Sequence, residues 1–301
     1  MQKNSLLIVC VAAILAVFYA VSFTPVVRGR NAEGVLSSAL MNPKYETSVN
    51  DIQITEKNRT IQLFKNEGTQ LWQGRDGNTL FPVDNSQVKK FISRLIKVRN
   101  MYTISDNQKK WQSLSLTDGD AVCVVYKNSD NMSTKLYFGG WNFDKSRRYF
   151  RTDNTITSYE IESDIDVFLS SKESFWYDPY ILPRNIPGVS GVQDVQRIRV
   201  NGILYTPQSP DFTEKCAKLT ELRHGDILSV PGGSVPGYEI EAETGSGLQT
   251  TIRVYNAADG KILEYSMKNT LTGTAYDYSY AVMISNWTAG KMEELFPPAY
   301  R

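Results

Sequence analysis

An uncharged run near the amino terminus narrows the fold more than any other feature. Between Lys3 and Arg28 no residue carries a charge, and from Leu6 the chain reads LLIVCVAAILAVFYAVSF, ending at Phe23. As a helix, the uncharged stretch 4–27 would be about 36 Å long at about 1.5 Å per residue, enough to cross a bilayer. The competing reading is a cleavable secretory leader, because Lys3 supplies a positive start and Ala20, Val21 and Ser22 form a small-x-small site. The apolar run is longer than a leader's usual core, which favours a retained anchor over residues 1–30. Cys10 invites a lipoprotein cleavage site, yet Val9 stands where a small residue is needed and the apolar run continues past the Cys. Bases lie on both sides of the run, Lys3 before it and Arg28, Arg30 and Lys44 after it, so charge alone does not orient the helix.

Composition then limits what the rest of the chain can do. Setting aside Lys3, Arg28 and Arg30, residues 31–301 hold 30 bases and 32 acids, a net charge of −2. A body so close to neutral has no basic footprint for nucleic acid. The whole chain's 301 residues suit two modest domains, and its 41% apolar with 22% charged residues is the balance of a folded chain. One His and three Cys are too few for most metal sites and for most nucleophile and base pairs. The expectation is a non-enzymatic protein that holds no cofactor and no metal.

Behind a polar connector at 31–50, two halves show one order of elements. In the first, 51–187, Ile52, Ile54, Ile61 and Leu63 alternate with polar residues as half-buried strands do. Asp84, Asn85 and Ser86 can cap a helix that carries Val88, Phe91, Ile92 and Leu95 on one face. After Gly119 and Asp120 come the strands AVCVVY, KLYFGGW, RRYFR and TSYEI, then a short helix DIDVFL behind Ser163, then an aromatic, proline-punctuated joint at 175–187. In the second half, 188–301, Asn201 and Gly202 predict a tight hairpin. The helix FTEKCAKLTEL follows, with Phe212, Cys216, Leu219 and Leu222 on one stripe. Gly225 and Asp226 match Gly119 and Asp120, four more strands follow, and a last helix opens at Asn286. The predicted fold class is α+β: a single N-terminal transmembrane helix followed by two similar antiparallel-sheet-plus-helix modules, diverged copies of one unit.

Few side chains invite chemistry. His224, the sole histidine, sits in the turn HGD and reads as solvated. Cys123 in a strand and Cys216 on a helix read as free thiols, since they belong to different halves. Asp118 with Asp120, and Glu239, Glu241 and Glu243 on one strand face, are the acidic groups that could suggest a calcium site or a glycosidase pair. Alternation along a half-solvated strand is the better reading of the glutamates, because a complete ligand pattern is missing. Gly232 and Gly233 lie in VPGGSVPG, which lacks the Lys of a phosphate loop. Phe175, Trp176, Tyr177 and Tyr180 form an aromatic run that offers either a partner surface or packing between modules.

The runs TIQLFKNEGTQLWQG and LFPVDNSQVKKFISRLIKV carry a further signal, with Trp72, Pro82, Asp84, Val88, Phe91, Ile92 and Leu95 at its fixed points. LYFGG, YFRTDN, SYEI and FWYDPYIL continue it through Gly139, Tyr149, Arg151, Tyr159, Trp176, Asp178 and Leu182. Over about residues 52–183 this order resembles domain-of-unknown-function family 4340. Tyr177 and Pro179 depart from the pattern, which usually places bases there. The resemblance implies a single-pass protein of the cell inner membrane with its C-terminal body outside the cytoplasm, often an accessory of gliding-motility-type ABC exporters. It implies no catalytic residues. The function expected is therefore a membrane-anchored extracytoplasmic binding or scaffolding protein. A cell-wall glycan-binding protein or glycan hydrolase, using the acids and aromatics above, is the alternative.

Overall fold

A computed structural model describes residues 34–298 except 68–70, 163, 185–194, 229–234, 274, 277 and 279. The expected anchor, the Ser163 cap, Gly232 and Gly233, and the end of the joint at 185–187 lie outside the described residues. Among the described residues no helix is long and apolar enough to cross a membrane.

Two antiparallel sheets with few helices make up the described chain. In the first half the elements run β1 (Val35–Ser38), β2 (Val49–Glu56), β3 (Arg59–Lys65), β4 (Trp72–Asp76), β5 (Thr79–Pro82), α1 (Asn85–Ile96), β6 (Arg99–Ser105), β7 (Val122–Asn128), β8 (Ser133–Trp141), β9 (Arg147–Thr152), β10 (Ser158–Glu162) and the one-turn helix α2 (Glu173–Trp176). The second half runs β11 (Val195–Val200), β12 (Ile203–Tyr205), α3 (Phe212–Glu221), β13 (Ile227–Leu228), β14 (Tyr238–Thr244), β15 (Leu248–Ala257), β16 (Gly260–Asn269), β17 (Ala275–Tyr276), β18 (Ala281–Ser285) and α4 (Asn286–Leu295).

The strand orders of the two sheets correspond. Part of the first runs β3-β2-β7-β8-β9-β10-β6, and the second runs β12-β11-β14-β15-β16-β18-β13. In each, a hairpin precedes a helix, the next strand goes to the far edge, and the following four fill the gap as a meander. The first sheet adds β1 beyond β6 and the β4–β5 hairpin beyond β3, while the second adds β17 beside β16.

This topology corrects one expected equivalence. Gly119 and Asp120 lead into β7, beside β2 in the interior of its sheet, whereas Gly225 and Asp226 lead into β13 at an edge. The counterpart of β13 is β6, so the two Gly-Asp turns are not equivalent. A shared dipeptide marks a turn but does not say which strand follows it.

Local chemistry explains most element boundaries. Asp84 caps α1 by accepting from the Ser86 amide at 2.8 Å, and Val88, Phe91, Ile92 and Leu95 form its buried face. Asn201 at φ 46° and Gly202 at φ 89° make the two-residue turn between β11 and β12. The stretch DIDVFL gives only a 3-10 turn, Asp166–Phe168, without a side-chain cap. On α3, Phe212, Cys216 and Leu219 are buried, and Leu222 is the half-buried residue that ends the helix. Helix α4 is capped by Ser285, whose hydroxyl accepts from the Thr288 amide. The expected polar connector is more structured than its composition implies. It supplies β1, paired with β6, and buries Leu40 and Met41, because VLSSALM holds enough apolar side chain to join the core.

Most buried apolar residues of both sheets form one continuous cluster, and Leu114, Leu116, Ala121 and Tyr137 form a smaller separate one. Phe91 belongs to the larger cluster and is fully buried, with ring centroids 5.5 Å from Phe168 and 5.6 Å from Trp176. Phe91→Ala should therefore cost about 3–5 kcal/mol in urea denaturation. Lys89→Ala, on the exposed side of the same helix, should stay within about 0.5 kcal/mol.

Candidate functional site

Between the sheets the chain from Trp176 onward is bound by its backbone to both. Toward the first sheet, the Trp176 carbonyl accepts from Asp84 N–H at 2.9 Å, and Asp178 N–H donates to the Pro82 carbonyl at 2.9 Å. Toward the second, Ile181 N–H donates to Leu222 at 3.0 Å, and the Pro179 carbonyl accepts from His224 N–H at 2.9 Å. Side chains tighten the same strap. The buried Asp178 carboxylate accepts from the Tyr180 amide at 3.2 Å and from the Arg184 amide at 2.7 Å. Tyr265 donates its hydroxyl to the Ile181 carbonyl at 2.9 Å.

His224 belongs to this joint and is not solvated, which corrects the reading of HGD as an open turn. Its side chain is buried, its Nδ1 is 2.8 Å from the Gly225 carbonyl and its Nε2 is 2.9 Å from the Asp178 carbonyl. The Tyr177 ring covers it at 4.8 Å. A neutral imidazole can donate to only one of two carbonyls. Burial lowers the pKa of His224, and the two carbonyls offset part of that shift.

Of the four aromatics expected to offer either a partner surface or packing between modules, Trp176 is buried and Phe175, Tyr177 and Tyr180 are half-buried. Trp176 is fully buried and donates Nε1–H to the Ser170 carbonyl at 2.8 Å, with Phe175 edge-on to it at 4.9 Å. Tyr177 covers His224, and Tyr180 lies under the Arg184 guanidinium at 3.5 Å. The run is apolar cover for a joint made largely of main-chain polar groups.

The acidic clusters are engaged as well. Asp118 accepts from Arg151 at 2.7 Å, and Asp120 accepts from the Thr117 hydroxyl at 2.6 Å. Arg151 is buried between the Trp111 and Tyr137 rings, at 3.9 and 3.5 Å, and also donates to the Leu116 carbonyl. Glu239, Glu241 and Glu243 share one face of β14, each paired with an arginine: Arg253, Arg199 and Arg197. Cys123 and Cys216 are free thiols, and burial pushes the Cys216 thiol up to about 12, leaving it unreactive. Among the described residues no three His, Cys, Asp or Glu side chains gather as a metal site.

Sequence reasoning missed the Arg151 clamp and a group of three buried tyrosines, Tyr265, Tyr278 and Tyr280, where the second sheet meets the β4–β5 turn. The alternating tyrosines of AYDYSYA were the available signal.

With this geometry in place, the comparison with known families is informative. Residues 75–212 match the family model described as domain of unknown function (DUF4340). The resemblance read from the sequence is thus shown for this stretch, which starts later and extends further than the span inferred there. The DUF4340 match begins within β4, crosses the joint and ends at the first residue of α3. The strap therefore lies inside the matched region. No curated protein and no solved structure matches the chain.

The joint yields a pH prediction. Above about pH 6.5 the ring is neutral in both the folded and the unfolded chain. As pH falls through that value the unfolded chain takes up the proton first, since burial lowers the folded pKa, and stability declines until the folded ring also protonates. Urea midpoints measured across this range should fall for the native chain and fall less for His224→Gln.

Proposed function

We propose that the chain is a membrane-anchored, extracytoplasmic, non-enzymatic binding or scaffolding protein, an accessory of an ABC-exporter-type complex in the inner membrane. The observation that carries this reading is the uncharged run 4–27, placed ahead of a body whose conspicuous polar groups are engaged with one another. The match of 75–212 to DUF4340 supports it through the envelope setting that the resemblance implies. The corresponding strand orders support a further part of the proposal, that the two modules are copies of one unit with different loops.

The rival hydrolase needs two uncommitted carboxyls about 5–10 Å apart across one cleft. Glu239, Glu241 and Glu243 instead stand side by side on one strand, each against an arginine. That arrangement favours a binding role.

Two measurements test the proposal. Alkaline carbonate extraction should leave the full-length chain in the membrane pellet, and its release into the supernatant would overturn the anchor. Crosslinking in intact membranes should capture an exporter-type membrane partner repeatedly, and its consistent absence would overturn the accessory role.

A further inference from the structure

The chain itself restricts what can lie beside the amino-terminal edge of the first sheet. Gly34 is already fixed to that edge, since its carbonyl accepts from Thr103 N–H at 2.7 Å. From Val27, where the uncharged run ends, to Gly34 the chain can span at most about 25 Å, at up to about 3.6 Å per residue. If the run crosses a bilayer, β1 lies within that distance of its surface.

The same edge carries apolar side chains in solvent. Val35 and Leu36 on β1, Ile104 on β6 and Ile156 before β10 are all exposed. Val35 pairs with Tyr102, which puts Ile104 diagonally beside it on one face of the sheet. The loop that carries Ile156 is held against the segment after β6. Trp111 Nε1–H donates to the Ile156 carbonyl at 3.2 Å, and the Thr157 hydroxyl donates to Asp106 at 2.6 Å. Ser105 pairs with Ser158, so this loop and the start of β1 share one end of the strands, while the β8–β9 turn with Phe143 lies at the other. Exposed apolar side chains grouped in this way mark a docking surface.

A bilayer fits this edge better than a second copy of the chain. β1 has only four residues, Val35–Ser38, and two of them are serines, which is little for a strand of another chain to pair with. Lys109 and Lys110 are exposed beside the apolar group, and their long stems can hold an ammonium at headgroup height while the apolar side chains go deeper. Asp106 and Asp153 at the same end balance their charge, so apolar contact supplies the attraction.

We propose that this edge rests on the surface of the bilayer that holds the anchor, with Val35, Leu36, Ile104 and Ile156 among the lipid headgroups. The inference rests on the anchor read from 4–27 and says which part of the body it brings to the lipid.

The test reconstitutes the full-length chain in vesicles of phosphatidylethanolamine and phosphatidylglycerol containing a phospholipid with a diazirine beside its glycerol. Photoadducts are then mapped by mass spectrometry. Adducts on 35–36, 104–111 and 153–157 should exceed those on Phe143, Leu271 and Trp287. Those three side chains are more exposed than the four apolar ones of the edge, so labelling by exposure alone would favour them. Ile104→Glu and Ile156→Glu should each lower the edge adducts several-fold at an unchanged thermal midpoint, because both side chains stand in solvent. Absence of edge enrichment overturns the inference, and adducts on 4–27 then show that the anchor still stands. Edge adducts without any on 4–27 remove the anchor and leave the surface contact. Preferred labelling of Phe143, edge adducts unchanged in both variants, or a dimer in mild detergent that shields β1 each overturn the inference.

Discussion

Everything between the two sheets depends on one short strap whose backbone groups are shared between them. From Trp176 to Ile181 the main chain changes partners once, with Asp84 and Pro82 bound by Trp176 and Asp178, then His224 and Leu222 bound by Pro179 and Ile181. Polar main-chain groups can be buried at such a place only if each is satisfied, and the buried Asp178 carboxylate and the His224 ring complete the set. The aromatic cover of Trp176, Phe175 and Tyr177 then keeps water from competing for these bonds. A network this connected fixes the relative position of the halves more firmly than apolar contact would, because apolar surfaces slide and hydrogen bonds have directions.

The residues that carried the family resemblance acquire physical roles. Trp176 and Asp178 belong to the strap. Arg151 is the guanidinium held between two rings, with its charge met by Asp118. Gly139 lies so close to the loop before β7 that an added Cβ would stand 2.3 Å from the Leu114 carbonyl oxygen, and the Gly140 amide donates to that same oxygen. These are positions where a fold tolerates little variation. A soft sequence pattern can therefore persist through them without any catalytic site behind it.

Much of the fold was legible because it is local. Alternation at Ile52 and Ile54, the Asp84 cap and the Asn201-Gly202 turn each state their structure within a few residues. What was not legible depends on distant contacts. His224 looks like a turn residue until Asp178, 46 positions earlier, is seen against its ring. The glutamates of β14 look available until β11 and β15 bring arginines beside them. Strand β1 reads as connector because four residues carry almost no periodicity, and only its pairing with β6 makes it a strand. The buried group of Tyr265, Tyr278 and Tyr280 was hidden for the same reason, since the β4–β5 turn that meets it comes from the other half of the chain.

The positions of β1 and β2 also bear on how the chain is completed during synthesis. The hairpin partners β2 and β3, and then β4 and β5, can pair as soon as each is made. The other neighbour of β2 is β7, and β1 has to wait for β6, more than sixty residues later. Until then the amino-terminal meander presents an unpaired strand edge, the kind of surface that recruits other chains. Closing it requires the long-range pairing that slows folding in sheet proteins. The order of translation thus leaves the first sheet open along β2 until Asn128 has been made.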